Sequence, residues 1–186
     1  MTDLAPPSPF FVQQSARLRA AARRGPVLDL ACGRGRHCIA AATAGAYAIG
    51  VDRNHGILAQ LRAAAHARRL RVDAIRADLE KLREFPLAPG SCGAILVFRF
   101  LFRPIAPRIA EALRPGGLLL YETFTVHQHA LPGGPSNPAF LLADGELPEL
   151  FPSLEILESW AGTSNGNAPT AVARLAARKP SKRGRC

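Results

Sequence analysis

The chain has 186 residues, a length typical of a single domain with a substantial core. Its apolar content of 48% excludes wholesale disorder, and no apolar run reaches the roughly 20 residues that a membrane helix needs. The formal net charge of +10 makes nucleic acid a partner to consider, although half of that charge lies in the last nine residues.

Patterns in the first half of the chain alternate between helix and strand. Residues 10–24 have helical apolar spacing, and residues 26–31 form a short apolar run typical of a buried parallel strand. Four further elements are predicted in chain order: a helix at 37–44, a strand at 47–51, a helix at 54–69 and a strand at 72–76.

In the second half, residues 93–98 are entirely apolar, which predicts a central strand. The remaining predicted elements are a helix at 105–113, a strand at 118–124, a short helix at 146–151 and strands at 154–160 and 171–177. Phe151 and Trp160 are expected to pack in the core. The pattern predicts an α/β fold with helices on both faces of a mostly parallel sheet, and the last two strands, which no helix separates, indicate an antiparallel C-terminal strand.

These elements predict one domain over residues 10–177, after a loose lead-in at 1–9 and before a basic tail at 178–186 that we expect to be disordered. The first residues lack a signal-peptide pattern, so we expect a cytoplasmic protein without a membrane partner. The cysteines show no metal-ligand spacing and are expected to be buried rather than redox-active. The sequence leaves the oligomeric state open.

A glycine turn follows the first strand. Gly33 and Gly35 lie between that strand and a helix, where backbone N–H groups can face a ligand. A nicotinamide or flavin fingerprint would place a third glycine where the chain has Cys38. Instead, the carboxyl group of Asp29 lies inside the strand, four residues before the first glycine. The turn therefore favours a different cofactor class.

Two more acids follow the next two strands. Asp52 closes the second strand, where a carboxylate can accept hydrogen bonds from ribose hydroxyls, unless it is only a helix N-cap. Asp78 follows the third strand, where the alternative is an exposed loop acid. Because the carboxyl ends of parallel strands meet at one edge of the sheet, Asp29, Asp52 and Asp78 are predicted to converge on one crevice.

The spacing D-x-A-x-G-x-G from Asp29 to Gly35 resembles motif I of class I S-adenosylmethionine-dependent methyltransferases. That family usually has glycine at the position of Ala31, where a methyl group is tolerable if the backbone stays extended. Residues 114–120 look like the L-[KR]-P-G-G turn that precedes strand five in the same family. The resemblance covers about residues 26–124 and implies a Rossmann-like three-layer αβα sandwich with a seven-stranded sheet.

S-adenosylmethionine is the cofactor that this resemblance implies. It places Asp52 at the ribose and Asp78 at the adenine. The complete set of expected cofactor-binding residues is Asp29, Ala31, Gly33, Gly35, Asp52, Arg53, Asp78, Leu79 and Phe98. A narrower similarity, to the tellurite-resistance-type methyltransferase group, rests on residues 99–104, 121–124, 137–142 and 145–147.

Methyl transfer from a sulfonium is an in-line displacement that needs no covalent enzyme residue, and it needs a base only if the acceptor arrives protonated. Arg99 and Arg103 fit an anionic acceptor, with pairing to Glu111 or Glu122 as the alternative. His127 is a candidate base, with a plain loop histidine as the alternative. Together with His129 it supplies only two metal ligands, so no metal site is predicted.

The acceptor side favours a small molecule. Residues 98–100 read Phe-Arg-Phe where amino-group methylases of DNA and RNA carry [DNS]-P-P-[FYW]. We therefore predict direct methyl transfer to a small acceptor, which the arginines would suit if it is an anion. An RNA- or protein-directed methyltransferase recruited through the basic tail, and a non-catalytic nucleic-acid-binding protein on a methyltransferase fold, are the alternatives. A nucleic-acid partner is thus left open but not favoured.

Overall fold

The structure, a computed structural model, describes residues 4–81, 85–164 and 168–181. Its strands are β1 (Val27–Leu30), β2 (Ala48–Asp52), β3 (Val72–Arg76), β4 (Cys92–Phe98), β5 (Leu113–Phe124), β6 (Glu155–Ser164) and β7 (Thr170–Arg178). Its α-helices are α1 (Pro9–Gln13), α2 (Ser15–Ala22), α3 (Arg36–Thr43), α4 (His55–Ala67), α5 (Ala106–Ala112) and α6 (Glu146–Glu149).

The strands form one sheet in the order β3-β2-β1-β4-β5-β7-β6. Neighbours from β3 to β5 are parallel, whereas β7 is antiparallel to both β5 and β6. Side chains on one face pack with α1 to α4, and those on the other face pack with α5 and α6. The predicted Rossmann-like fold, with helices on both faces of a mostly parallel seven-stranded sheet, is confirmed. The antiparallel strand β7 lies inside the sheet, between β5 and the edge strand β6.

The N-terminal helix predicted over residues 10–24 is two helices that meet at Gln14. Gln14 is buried, and its side-chain amide donates to the Glu158 carboxylate at 2.8 Å. The backbone of Gln14 departs from helical geometry, with φ −88° and ψ 6°, and this residue separates α1 from α2. The lead-in at residues 1–9, predicted to be loose, is held by contacts near its end. Ser8 is buried, and its hydroxyl oxygen accepts a hydrogen bond from the Phe10 N–H.

The segment predicted as a turn before the fifth strand is a bulge inside β5. Leu113 pairs with Cys92, the register then shifts, and pairing resumes with Leu118 opposite Ala94. Gly116 has φ +76°, a conformation that favours glycine. The bulge brings the backbone of β5 back beside β4 after α5 ends.

The last strands differ from the prediction at two points. Phe151 is buried as expected, but Trp160 is 40% exposed because it lies on edge strand β6, under the Arg174 guanidinium at 4.8 Å. The sheet also includes residues assigned to the disordered tail. Arg178 pairs with Glu155, and the backbone of Lys179 hydrogen-bonds to the β5 bulge. Residues 182–186 of the predicted tail lie outside the described residues. Within the described ranges, no helix is long and apolar enough to cross a bilayer.

Candidate active site

A cavity of about 400 Å³ opens at the carboxyl edge of the sheet, a volume typical of small-ligand sites. Each of the five parallel strands contributes to its wall from its own end. In the order β1 to β5, these residues are Ala31, Asp52, Asp78, Arg99 and Thr123. The cavity spans the point between β1 and β4 where the strand order reverses, which is where ligands bind in open α/β sheets.

The glycine turn after β1 is open on one side, at Gly33, and closed by α4 on the other, at Gly35. Gly33 and Gly35 have φ +54° and +76°. A Cβ on Gly35 would lie 2.3 Å from Leu61 Cδ1, whereas a Cβ on Gly33 would meet nothing within 4 Å. Neither glycine is among the described residues that line the cavity. Ala31 does line it, with φ +51°, so its methyl group is accommodated on a left-handed backbone and not on the extended one under which it was considered tolerable.

Asp29 lies beneath the turn rather than in the cavity wall. It is 1% exposed, and its Oδ2 accepts a hydrogen bond from Cys38 Sγ at 3.5 Å. Burial raises the pKa of the Asp29 carboxyl to about 7, against smaller opposing effects of its hydrogen bonds from Cys38. The cysteine at the third-glycine position of a nicotinamide fingerprint is thus a buried partner of Asp29. Cys32, Cys38 and Cys92 are buried free thiols, as predicted.

Asp52 connects the turn to the cavity. Its Oδ2 accepts from the Gly33 N–H at 2.9 Å, and its Oδ1 accepts from the Asn54 N–H at 2.9 Å. Asn54, not Asp52, caps α4, because its side chain accepts from the Ile57 N–H. The alternative interpretation of Asp52 as a helix N-cap is therefore wrong. A carboxylate has about four lone-pair sites, so Asp52 retains acceptor capacity toward the cavity.

The wall near β3 combines two apolar side chains, Ala77 and Leu79, with three charged ones. Asp78 Oδ1 accepts from the Glu80 N–H at 3.1 Å, which folds the loop so that Leu79 packs inward with 5% exposure. Arg53 lies 3.9 Å from the Glu80 carboxylate across the cavity mouth. Arg53, Asp78, Leu79 and Glu80 all line the cavity, and Glu80 was not among the predicted residues.

Phe98, expected to bind the cofactor, faces away from the cavity. Its ring stacks on His37 with centroids 3.9 Å apart and packs near Phe10 and Phe11. Side chains alternate along a strand, and Val97 already faces the opposite layer. The last residue of β4 therefore lies against α1, and the cavity is reached only by the residues that follow it.

Arg99 is the first of those residues, and its backbone has φ +58°. Its N–H donates to the Glu122 carbonyl at 2.8 Å, and its guanidinium lies 5.8 Å from the centre of the Phe124 ring. Among the described residues, no carboxylate lies within 4 Å of its guanidinium nitrogens, so the ion pairs weighed as alternatives do not form there. Arg99 thus brings an exposed positive charge to the cavity.

Arg103 has a different environment. It forms a two-point ion pair with Glu146, and its Nη1 and Nη2 donate to the carbonyls of Ala139 and Leu141 at 2.8 and 2.9 Å. The hydrogen bond to Glu146 raises the pKa of Arg103 and lowers that of Glu146. Its partner is neither Glu111 nor Glu122. Arg103 fixes the loop after β5 and is not among the described lining residues.

The histidines of the loop after β5 lie outside the cavity. The His127 side chain is 64% exposed, and its Nε2 is 2.8 Å from Asp144 Oδ1. His129 is also exposed. Over the ranges that the structure describes, no group of three or more His, Cys, Asp or Glu side chains could hold a metal ion.

A buried polar network behind the cavity occupies Glu122, which the sequence offered as an ion-pair partner for Arg99 or Arg103. Its two oxygens accept from Ser8 Oγ at 2.8 Å and Arg174 Nε at 2.7 Å. The Ser8 N–H donates to His37 Nε2 at 3.1 Å, which requires a neutral ring. Burial, with the nearby charges of Arg36 and Arg99, lowers the pKa of His37 to about 3. The network ties the start of α1 to β5.

Eight lining residues were not predicted as site residues: Ala77, Glu80, Phe100, Leu101, Thr123, Phe124, Pro135 and Phe140. Phe100 and Phe124 lie close to strand ends, so their positions at the carboxyl edge could have been inferred. Pro135 and Phe140 belong to the long loop after β5. Nothing local in the sequence predicts where that loop lies.

Comparison with known proteins agrees with this geometry. Residues 27–117 match the model of a methyltransferase domain family. The chain is similar in structure to TehB from Haemophilus influenzae, with 21% identity and a TM-score of 0.72, over 88% of this chain and 62% of that one. The chain therefore spans less than two thirds of the length of TehB. No curated protein matches it in sequence.

Two further solved structures share the fold. A S-adenosylmethionine-dependent methyltransferase from Mesorhizobium loti has 20% identity and a TM-score of 0.68, over 89% of this chain and 97% of that one. Geranyl diphosphate C-methyltransferase from Streptomyces coelicolor, in complex with Mg²⁺, geranyl diphosphate and S-adenosyl-L-homocysteine, has 14% identity and a TM-score of 0.65, over 89% and 77% of the two chains.

The match of residues 27–117 to a methyltransferase domain family, and the fold shared with S-adenosylmethionine-dependent methyltransferases, support the predicted class of protein. The likeness to TehB extends over the fold, in agreement with the narrower similarity expected from the sequence.

Proposed function

We propose that this methyltransferase transfers the methyl group of S-adenosylmethionine directly to a small anionic acceptor held beside Arg99. The observation that carries the proposal is the distribution of charge in one cavity. Carboxylates of Asp52 and Asp78 lie at one end, and the guanidinium of Arg99 lies at the other. The first end suits hydroxyls and an amine as donors, and the second suits an anion.

The residues present fit the cofactor. Asp52 has spare acceptor capacity for ribose hydroxyls, Asp78 and Leu79 would hold the adenine, and the open side of Gly33 leaves room for a ligand against the turn. Bound there, the cofactor supplies a methyl group on a positively charged sulfur. Ala31 would then contact the cofactor between the ends of β1 and β4.

The chain supplies orientation rather than proton transfer. An acceptor that is already an anion needs no base, and His127 lies outside the lining residues that the structure describes. Arg99 would hold the acceptor in line with the methyl group, and such alignment accounts for much of the acceleration in displacements of this kind.

A turnover screen across acceptor classes, reading release of S-adenosylhomocysteine, tests this proposal. With an acceptor that turns over, Arg99→Gln should raise the acceptor KM or lower kcat by at least about tenfold, while cofactor affinity stays within about twofold. Arg108→Gln, a change of an exposed arginine on α5, is the control and should alter neither quantity. Loss of cofactor binding in Arg99→Gln would place Arg99 at the cofactor and overturn its assignment to the acceptor.

The same assay tests the absence of a base. His127→Gln should keep kcat and KM within about twofold of the parent. A fall in kcat of about a hundredfold or more, the scale of a lost general base, would contradict a proton-independent acceptor side.

A further inference from the structure

The acceptor end and the cofactor end of the cavity lie over different strands of the sheet. Neighbouring strands lie about 4.8 Å apart, so β2 with Asp52 and β5 with Thr123 are separated by about 14 Å across β1 and β4. A cofactor anchored at β2 and β3 therefore points its reacting end toward β4. The acceptor must then lie over β4 and β5.

The wall at this end is aromatic and apolar. Phe124 ends β5, and Pro135 and Phe140 come from the loop that follows it. Phe140 is 38% exposed, which is high for a phenylalanine. A large apolar side chain that borders a cavity and is left partly exposed gains free energy when a ligand with apolar surface covers it.

This wall is fixed in place before any ligand arrives. Arg103 holds the carbonyls of Ala139 and Leu141, the two residues that flank Phe140. The backbone of Leu142 then pairs with β5, its N–H donating to the Phe124 carbonyl at 3.0 Å and its carbonyl accepting from the Val126 N–H at 2.9 Å. Phe124 and Phe140 are thus attached to the same hydrogen-bonded framework, and ordering them costs little on binding.

One charged side chain lies at the acceptor end of the cavity. Of the described lining residues contributed by β4, β5 and the loop after β5, only Arg99 carries a charge, and its guanidinium lies near the Phe124 ring. A bare inorganic oxyanion would lose its hydration against an aromatic wall and gain few donors in return. An organic anion would match both the cation and the wall.

Building on the proposed function, we propose that the acceptor is an organic anion whose flat apolar body packs against Phe124 and Phe140 while its anionic group binds Arg99. Phenylacetate is a suitable probe of this class. Acetate lacks the apolar body, phenylacetamide lacks the charge, and tellurite is a bare oxyanion. All four can be titrated by calorimetry into protein saturated with S-adenosylhomocysteine.

Phenylacetate should bind at least about tenfold more tightly than acetate, tellurite or phenylacetamide. Phe140→Ala should weaken phenylacetate by about threefold or more without changing acetate. Ile156→Ala, which removes an exposed apolar side chain on β6 far from the cavity, should change neither. Arg99→Gln should make phenylacetate and phenylacetamide bind equally.

Each contrary result has its own meaning. Acetate or tellurite binding as tightly as phenylacetate, or no binding of phenylacetate at about 10 mM, would overturn the organic acceptor. Equal binding of phenylacetate and phenylacetamide to the parent protein would overturn both this inference and the anionic acceptor of the proposed function. If S-adenosylhomocysteine itself does not bind, the proposed function fails before the acceptor is tested.

Discussion

Two non-glycine residues adopt left-handed backbone conformations at the cavity. Ala31 and Arg99 have φ +51° and +58°, and they follow the neighbouring strands β1 and β4. This conformation costs a non-glycine residue about 1–2 kcal/mol, and such strain persists where the surrounding structure fixes it. Strain at both sides of the switch point indicates that the backbone there is shaped for ligand rather than for stability.

Replacing Ala31 by glycine should therefore stabilise the protein. Removing the steric cost outweighs the extra entropy of glycine in the unfolded chain, so we expect a gain of about 0.5–1 kcal/mol, or about 1–4 °C in Tm. Thermal denaturation measures the gain. Arg69→Gly is the matched control, because Arg69 has φ +52° at an exposed helix end away from the cavity.

The control should show a similar rise in Tm with no change in cofactor affinity. A lower Tm for Ala31→Gly, with the expected rise for Arg69→Gly, would mean that the Ala31 methyl group contributes more by packing than its backbone costs.

Two buried groups give the stability opposite dependences on pH. His37 has a pKa of about 3 when folded against about 6.5 unfolded, so the unfolded chain binds the extra proton between these values. Its contribution is complete above pH 6.5 and is lost as pH falls toward 3. Asp29 has a pKa of about 7 when folded against about 3.9 unfolded, so the folded protein holds the extra proton and stability falls as pH rises from 4 to 7.

Between pH 4.5 and 6 the two contributions should nearly cancel, at about 1.4 kcal/mol per pH unit each. Asp29→Asn should make the free energy of unfolding rise more steeply with pH than in the parent, and His37→Gln should make it rise less steeply or fall. Chemical denaturation at three pH values measures the slopes. Identical slopes in both variants would contradict the assigned protonation states.

Among the secondary-structure elements, sequence patterns predict the strands of the sheet and two of the three acids at their ends. Asp52 ends β2 and Asp78 lies two residues after β3, so a local pattern can place both at the cavity, whereas Asp29 lies inside β1 and is buried beneath the turn. The prediction that Phe98 binds the cofactor is wrong, because this last side chain of β4 packs against α1, and a local pattern does not show which side of the sheet it faces. Arg103 has its partners 36 to 43 residues away, in the loop after β5 and at the start of α6, and no local pattern predicts such contacts.

Arg103 should therefore act on the acceptor through the loop that it holds. Arg103→Gln loses a partly exposed ion pair with Glu146 and hydrogen bonds to two carbonyls, which predicts a loss of stability of about 1–2 kcal/mol. Phenylacetate affinity should fall because Phe140 is no longer held, while S-adenosylhomocysteine affinity stays within about twofold. Unchanged phenylacetate affinity in a folded variant would show that the loop keeps its position without Arg103.

At the scale of the whole molecule, the basic C-terminal segment divides into two parts. Arg178 pairs with Glu155, and the N–H and carbonyl of Lys179 bond to Gly117 and Gly116 at 2.9 and 2.8 Å. These contacts join the last strand to the β5 bulge. The residues after Ser181, which lie outside the described part of the chain, carry three basic side chains.

Ending the chain after Ser181 should thus leave Tm, cofactor affinity and small-molecule turnover unchanged, whereas ending it after Ala177 should lower Tm by several degrees. Thermal denaturation and turnover compare the two truncations directly. The protein that ends at Ser181 could instead still bind cofactor but lose methyl transfer to every acceptor. In that case the tail recruits the substrate, and the RNA- or protein-directed alternative replaces the small acceptor.

Calorimetry with the parent protein and two variants gives the sharpest test of whether the cavity binds S-adenosylmethionine through Asp52. S-adenosylmethionine and S-adenosylhomocysteine should bind with micromolar affinity and NAD should not bind. Asp52→Asn should weaken both by about 1.5–3 kcal/mol, or about 10- to 150-fold, because ribose hydroxyls lose a charged acceptor. Asp73→Asn, a change of an exposed acid on β3, should have no effect. Tighter binding of NAD than of S-adenosylmethionine, or undiminished S-adenosylmethionine affinity in Asp52→Asn, would show that the cavity does not bind this cofactor through Asp52.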